Sequence, residues 1–130
     1  MTNKYSARIV EIDPIIEEML LLSVNGVTVR CFAGHCPSVI EVGENYSAEF
    51  EMVLPDEIDI SICESIETRV EMLDDGFSCE IHGRLEGDTF KSFVEFADQD
   101  IHFDFPHLNG QFVKITAHRI DVSFRGTGPL

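Results

Sequence analysis

Apolar and polar residues alternate with a period of two along most of the chain, the signature of strands that bury one face. The sharpest instance is Leu20-Leu-Leu-Ser-Val-Asn-Gly-Val-Thr-Val-Arg-Cys31. Asn25-Gly26 is the preferred two-residue type I′ turn, because both residues tolerate positive φ. A loop that short fixes the register, setting Val24 opposite Val27, Leu22 opposite Val29 and Leu20 opposite Cys31. Those side chains share one face, and Leu21, Ser23, Thr28 and Arg30 take the other. Cys31 thereby reads as a small buried hydrophobe.

A further strand places Tyr46, Ala48, Phe50, Met52 and Leu54 inward and Ser47, Glu49 and Glu51 outward, with Pro55 ending it. Residues 56–67 fit two readings. Ile58, Ile60 and Ile62 alternate as in a strand, whereas Ile58, Ile62 and Ile66 recur at helical spacing; β-branching tips the balance toward a strand. Thr68–Met72 and Phe77–Leu85 form a hairpin across Leu73-Asp-Asp-Gly76, with Phe77, Cys79, Ile81 and Leu85 inward and Ser78, Glu80, His82 and Arg84 outward. Gly83 and Gly87 mark a bulge or bend. Strands are expected over Thr89–Phe96, Ile101–Phe105 and Gln111–Phe124. In the last, the apolar parity changes between Val113, Ile115, Ala117 and Ile120, Val122, Phe124, which predicts a bulge near His118 and Arg119 or a strand crossing between sheets.

Seven to eight short, mainly antiparallel strands with at most one short helix predict an all-β barrel or sandwich. The bent first hairpin and the glycine kinks also suit an OB-like barrel, the oligonucleotide/oligosaccharide-binding type. No repeat or linker divides the chain, so residues 1–125 read as a single all-β domain and residues 126–130 as a flexible C-terminal tail.

Composition narrows the class. A hydrophobic share of 44% and a charged share of 25% belong to a globular chain. No run approaches the roughly 18 apolar residues of a membrane span, and the first residues lack the apolar core of a signal peptide. The expectation is a cytoplasmic protein with no membrane association, whose cysteines are free thiols. The net charge of −15 sets 24 acids against 9 Lys and Arg, and no Lys or Arg falls between Arg30 and Arg69. Such a surface repels phosphate backbones, which disfavours direct nucleic-acid binding. It suits a basic protein partner, steered in electrostatically. The expected contact residues are Glu44, Glu49, Glu51, Asp56, Glu57 and Asp59.

Reactive chemistry is thinly signalled. Arg30-Cys-Phe-Ala-Gly-His-Cys-Pro37 gathers two cysteines and a histidine, yet zinc assembled from His35, Cys36, Cys79 and His82 lacks paired knuckles, and alternation sends Cys79 and His82 to opposite faces. Cys36 has no signature of an activated nucleophile. Carboxylates such as Glu11, Asp13, Glu17 and Glu18, or Asp98, Asp100 and Asp104, are too abundant to mark an acid/base pair. His102, Asp104 and His107 make no clearer metal site. The expectation is thus a non-catalytic acidic binding module, of the inhibitor or immunity type, with no cofactor, no metal and no catalytic residues. Its alternatives are a small-molecule or oligosaccharide-binding β-barrel lined by Phe90, Phe93, Phe96, Phe103 and Phe105, and an enzyme using Cys36 or a carboxylate pair.

Overall fold

The computed structural model describes residues 3–34, 40–97 and 100–125. Its strands are β1 (Tyr5–Ile12), β2 (Met19–Val24), β3 (Val27–Phe32), β4 (Asn45–Val53), β5 (Ile60–Ile62), β6 (Arg69–Met72), β7 (Cys79–Glu86), β8 (Thr89–Lys91), β9 (Glu95–Ala97), β10 (Phe112–Ala117) and β11 (Arg119–Arg125). The fold is all-β, as the alternation requires, although its strands are shorter and more numerous than seven or eight.

The Asn25-Gly26 turn forms as its chemistry dictates, with φ of 50° and 81°, and β2 and β3 pair Val24 with Val27, Leu22 with Val29 and Leu20 with Cys31. The β2–β3 hairpin joins a closed barrel in the order β1-β2-β3-β11-β4, with β4 returning to β1. All contacts in it are antiparallel except β3 with β11. Residues 54–118, between β4 and β11, build a second sheet in the order β5-β10-β7-β8-β9, with β6 also on β7. The parity change near His118 is the crossing point. β10 lies in the second sheet and β11 in the barrel, and only His118 separates them; its N–H donates to the Val53 carbonyl at 2.8 Å.

Two segments differ from expectation. Thr89–Phe96 is not one strand but the tight β8–β9 hairpin, pairing Phe90 with Phe96. Ile101–Phe105 is not a strand: Ile101–Asp104 is one turn of helix, α1, entered through Asp100 at φ 71°, and Pro106–Leu108 is a 3-10 turn. Ile101 is fully buried while Phe103 is 71% exposed, so this stretch does not turn all its apolar residues inward. The ambiguous segment 56–67 contains strand β5 and no helix.

One hydrophobic core runs through both sheets. Its seam is aromatic: Tyr5 packs on Phe50 (6.4 Å between centroids), Phe50 edge-on against Phe93 (5.9 Å), Phe93 against Phe96 (5.6 Å), and Phe96 stacks on Phe90 (6.3 Å). Edge-to-face rings at such separations add to what their burial supplies. No helix among the described residues is long and apolar enough to cross a membrane.

Candidate functional site

The outward faces of β2 and β3 carry Leu21 and Arg30, directly opposite each other. Two irregular segments wall this face. One is the β1–β2 loop, where Asp13 Oδ1 accepts the backbone N–H groups of Ile16 (2.7 Å) and Ile15 (2.9 Å) in an Asx-type turn. The loop closes with Asp13 N donating to the Met19 carbonyl, and Met19 N to that of Ile16, both at 3.0 Å. The other wall is the β6–β7 turn, which leans over β3. There Arg30 Nη1 donates to the carbonyls of Gly76 (2.9 Å) and Asp74 (3.1 Å), and Phe32, beside it on β3, meets Phe77 edge-on at 5.5 Å. The Arg119 guanidinium stands over the Phe32 ring, 4.5 Å from its centroid.

Between these walls lies a cleft of about 140 Å³ lined by Glu11, Asp13, Met19, Leu21, Arg30 and Asp75. Met19 and Leu21 give it apolar surface, and Glu11, Asp13 and Asp75 give it carboxylates. The backbone donors of Ile16 and then Ile15, with a smaller contribution from the Arg30 charge, hold the Asp13 carboxyl below its ordinary value, so it stays ionised. Nη1 of Arg30 is committed to carbonyls, and no described cation makes an ion pair with Glu11, Asp13 or Asp75. The cleft therefore sets three carboxylates beside the single guanidinium of Arg30, with Leu21 and Met19 as its apolar residues, an arrangement of net negative charge.

The expected contact residues are placed apart. Glu44 sits before the start of β4, exposed, its carbonyl accepting from Ile9 N at 3.0 Å. Glu49, half-buried on the outer face of β4, is ion-paired with Arg125 at 3.0 Å. Glu51 is exposed opposite Asp121. Asp56 and Glu57 lie exposed beyond the far end of β4, and Asp59 accepts from Thr116 Oγ1 at 3.2 Å on the second sheet. Glu44, Glu49, Glu51, Asp56 and Glu57 follow β4 as a stripe, Asp59 lies on the second sheet, and none of the six lines the cleft. His35, Cys36 and Asp98 lie outside the described residues. Cys79 faces the core and His82 the other side of β7; His82 is nevertheless 3% exposed, so its outward face is covered. Phe90, Phe93 and Phe96 are buried in the core, and only Phe93 also reaches a surface depression, beside Tyr5, Asn25 and Ser92. The cleft was legible only as separate fragments. Arg30 reads from the sequence as an outward residue of β3, but its neighbours Asp13 and Asp75 come from loops whose approach no local pattern encodes.

A protein-family model matches residues 3–125, and that family is described as uncharacterised conserved protein UCP019853. No curated protein and no solved structure matches the chain.

Proposed function

Because the chain belongs to the UCP019853 family of uncharacterised conserved proteins, which brings no activity with it, we propose from the geometry that it is a non-catalytic binding module that seats a basic side chain of a protein partner in the Arg30 cleft. The observation that carries this reading is the convergence of Glu11, Asp13 and Asp75 beside Leu21 and Met19. An arginine or lysine lays its methylene stem on such apolar surface and its charge among the carboxylates.

Two further features support it. In five-stranded barrels of the oligonucleotide/oligosaccharide-binding type, ligands lie on the face of the second and third strands, between the loops joining strands one to two and four to five. Here those positions correspond to β2 and β3, the β1–β2 loop, and the insertion between β4 and β11 that supplies Asp75. The net charge of −15 then favours a cationic partner over nucleic acid, and the stripe of Glu44, Glu51, Asp56 and Glu57 raises the rate of encounter without entering the cleft.

The test is a heteronuclear NMR titration with a short arginine peptide and its citrulline counterpart, which keeps shape and loses charge. Shifts are expected at Glu11, Asp13, Arg30 and Asp75 with the arginine peptide alone, weakened by Asp13→Asn and Asp75→Asn but not by Glu51→Gln. Shifts confined to β4, or equal for the two peptides, would reject the reading.

A further inference from the structure

The link from β5 to β6 crosses the second sheet. β5 lies beyond β10 and β6 on the far side of β7, so residues 63–68 pass over the two strands between them. This crossing brings Cys63, at the end of β5, onto His82 of β7: Sγ lies 3.4 Å from Nδ1. On the other side of the ring, Nε2 lies 3.1 Å from Glu80 Oε1. An ionised carboxylate only accepts, so Nε2 carries the hydrogen and Nδ1 turns its lone pair to the thiol. A nucleophile, a base and a group that orients the base thus stand in line. His82 is 3% exposed and has little freedom to turn away, whereas Cys63 is half-buried and within reach of solvent.

We infer that Cys63 is a modification site, a nucleophilic thiol that exchanges with small disulfides, with His82 as its base and Glu80 as the positioning residue. The inference is independent of the cleft. In the exchange the Cys63 proton passes to Nδ1 and Sγ attacks one sulfur of the disulfide. The Cys63–sulfur bond forms as the S–S bond breaks, and the departing thiolate takes the electron pair and then the proton from His82. One protein thiol and one disulfide become a mixed disulfide and one small thiol. The charged groups around the ring are of both signs: Glu71, whose carboxylate lies within 4.8 Å of the Glu80 and His82 donor atoms, and Arg69 and Lys114, the register neighbours of His82 on β6 and β10. Cys79, the neighbouring thiol along β7, is buried on the opposite face, and its pKa is pushed up to about 12 by burial, so it does not resolve the mixed disulfide.

The probe is dithiodipyridine, uncharged so that the acidity of the protein does not bias it, applied to the full chain carrying Cys36→Ser. At neutral pH Cys63 is expected to react at least about tenfold faster than the thiol of a neutral tripeptide. The rate and the ultraviolet absorbance of the thiolate should both fall in Glu80→Gln, which keeps the shape and the acceptor oxygen but removes the charge. His82→Asn should fall further. A Cys63 rate at or below that of the tripeptide overturns the inference, as does a rate unchanged in Glu80→Gln, which remains informative even where His82→Asn does not fold.

Discussion

Asn25 Nδ2 donates to the Phe93 carbonyl at 2.8 Å, so the residue that turns the β2–β3 hairpin also fastens the barrel to the second sheet. The residue does two jobs, and two variants separate them. Asn25→Gly keeps the positive φ and loses only the hydrogen bond, an expected cost of about 0.5–1.5 kcal/mol. Asn25→Ala loses the same bond and keeps the Cβ of the parent in the left-handed region without the side-chain amide that lets asparagine tolerate it, which should place it about 1–2 kcal/mol below the Gly variant. Urea unfolding should therefore rank parent, Gly and Ala in that order. Equal midpoints for Gly and Ala would show that the turn conformation contributes nothing.

Gly83 lies where the outer edge of β7 passes from β6 to β8. A Cβ at this position would stand 2.5 Å from the Lys91 carbonyl oxygen and 3.0 Å from Phe90 Cε1. The first neighbour is backbone in a tight hairpin and the second a core ring, so neither can yield cheaply. Gly83→Ala is expected to lose about 1–3 kcal/mol or more by overpacking. The control is Gly87→Ala, where φ is 58° but no atom lies within 4 Å, so only the conformational strain is felt. If Gly83→Ala were as stable as the parent, the close approach would not exist in solution.

These two positions mark what the sequence could and could not disclose. The Asn25-Gly26 register and the crossing at His118 were legible because alternation over several residues on each side fixed which face was buried. Gly83 was legible as a bend but not as a switch between partners. α1 is not legible in the sequence because Ile101, Phe103 and Phe105 alternate like a strand, and a single helical turn is too short to display its own period. β1 has a weak pattern: Ala7 and Ile9 are its fully buried residues, and exposed Val10 blurs their alternation. The Cys63–His82–Glu80 line was hidden for a different reason. Its geometry depends on a link passing over β10 and β7, and that is a property of strand order, not of any local run.

Asp13 supplies a pH test. Its folded pKa is depressed below the ordinary value of about 3.8, chiefly by the N–H groups of Ile16 and then Ile15. A group shifted in that direction contributes fully above its unfolded pKa and loses its contribution as pH falls through the folded one. Asp13→Asn keeps an acceptor oxygen but does not titrate. The stability difference between parent and Asp13→Asn should therefore be constant from neutral pH to about 4 and shrink below it. Carbon-detected titration of the Asp13 carboxyl gives the direct check. A midpoint at or above 3.8 would mean that the Asx turn is not formed in solution.

Glu49 and Glu51 stand two residues apart on one face of β4, yet their surroundings oppose each other. Glu49 is ion-paired with Arg125 at 3.0 Å, and its side chain is only 17% exposed. Glu51 is exposed and directly opposite Asp121, whose own ion pair is with Arg119 at 2.7 Å. Like charges directly opposite on a sheet are destabilising, and an exposed partner for Glu51 is already taken. Glu51→Gln is thus expected to leave stability unchanged or raise it by about 0.2–1 kcal/mol, less so as salt is added. Glu49→Gln loses a pair in which one member is half-exposed and screened, so its cost should be at most about 1 kcal/mol. Thermal unfolding of the two single variants at low and high salt should show a lowered midpoint for Glu49→Gln and an unchanged or raised one for Glu51→Gln, with any shift shrinking as salt is added. Shifts of the same sign would mean that the stripe acts as one repulsive field, in which the individual pairings do not matter.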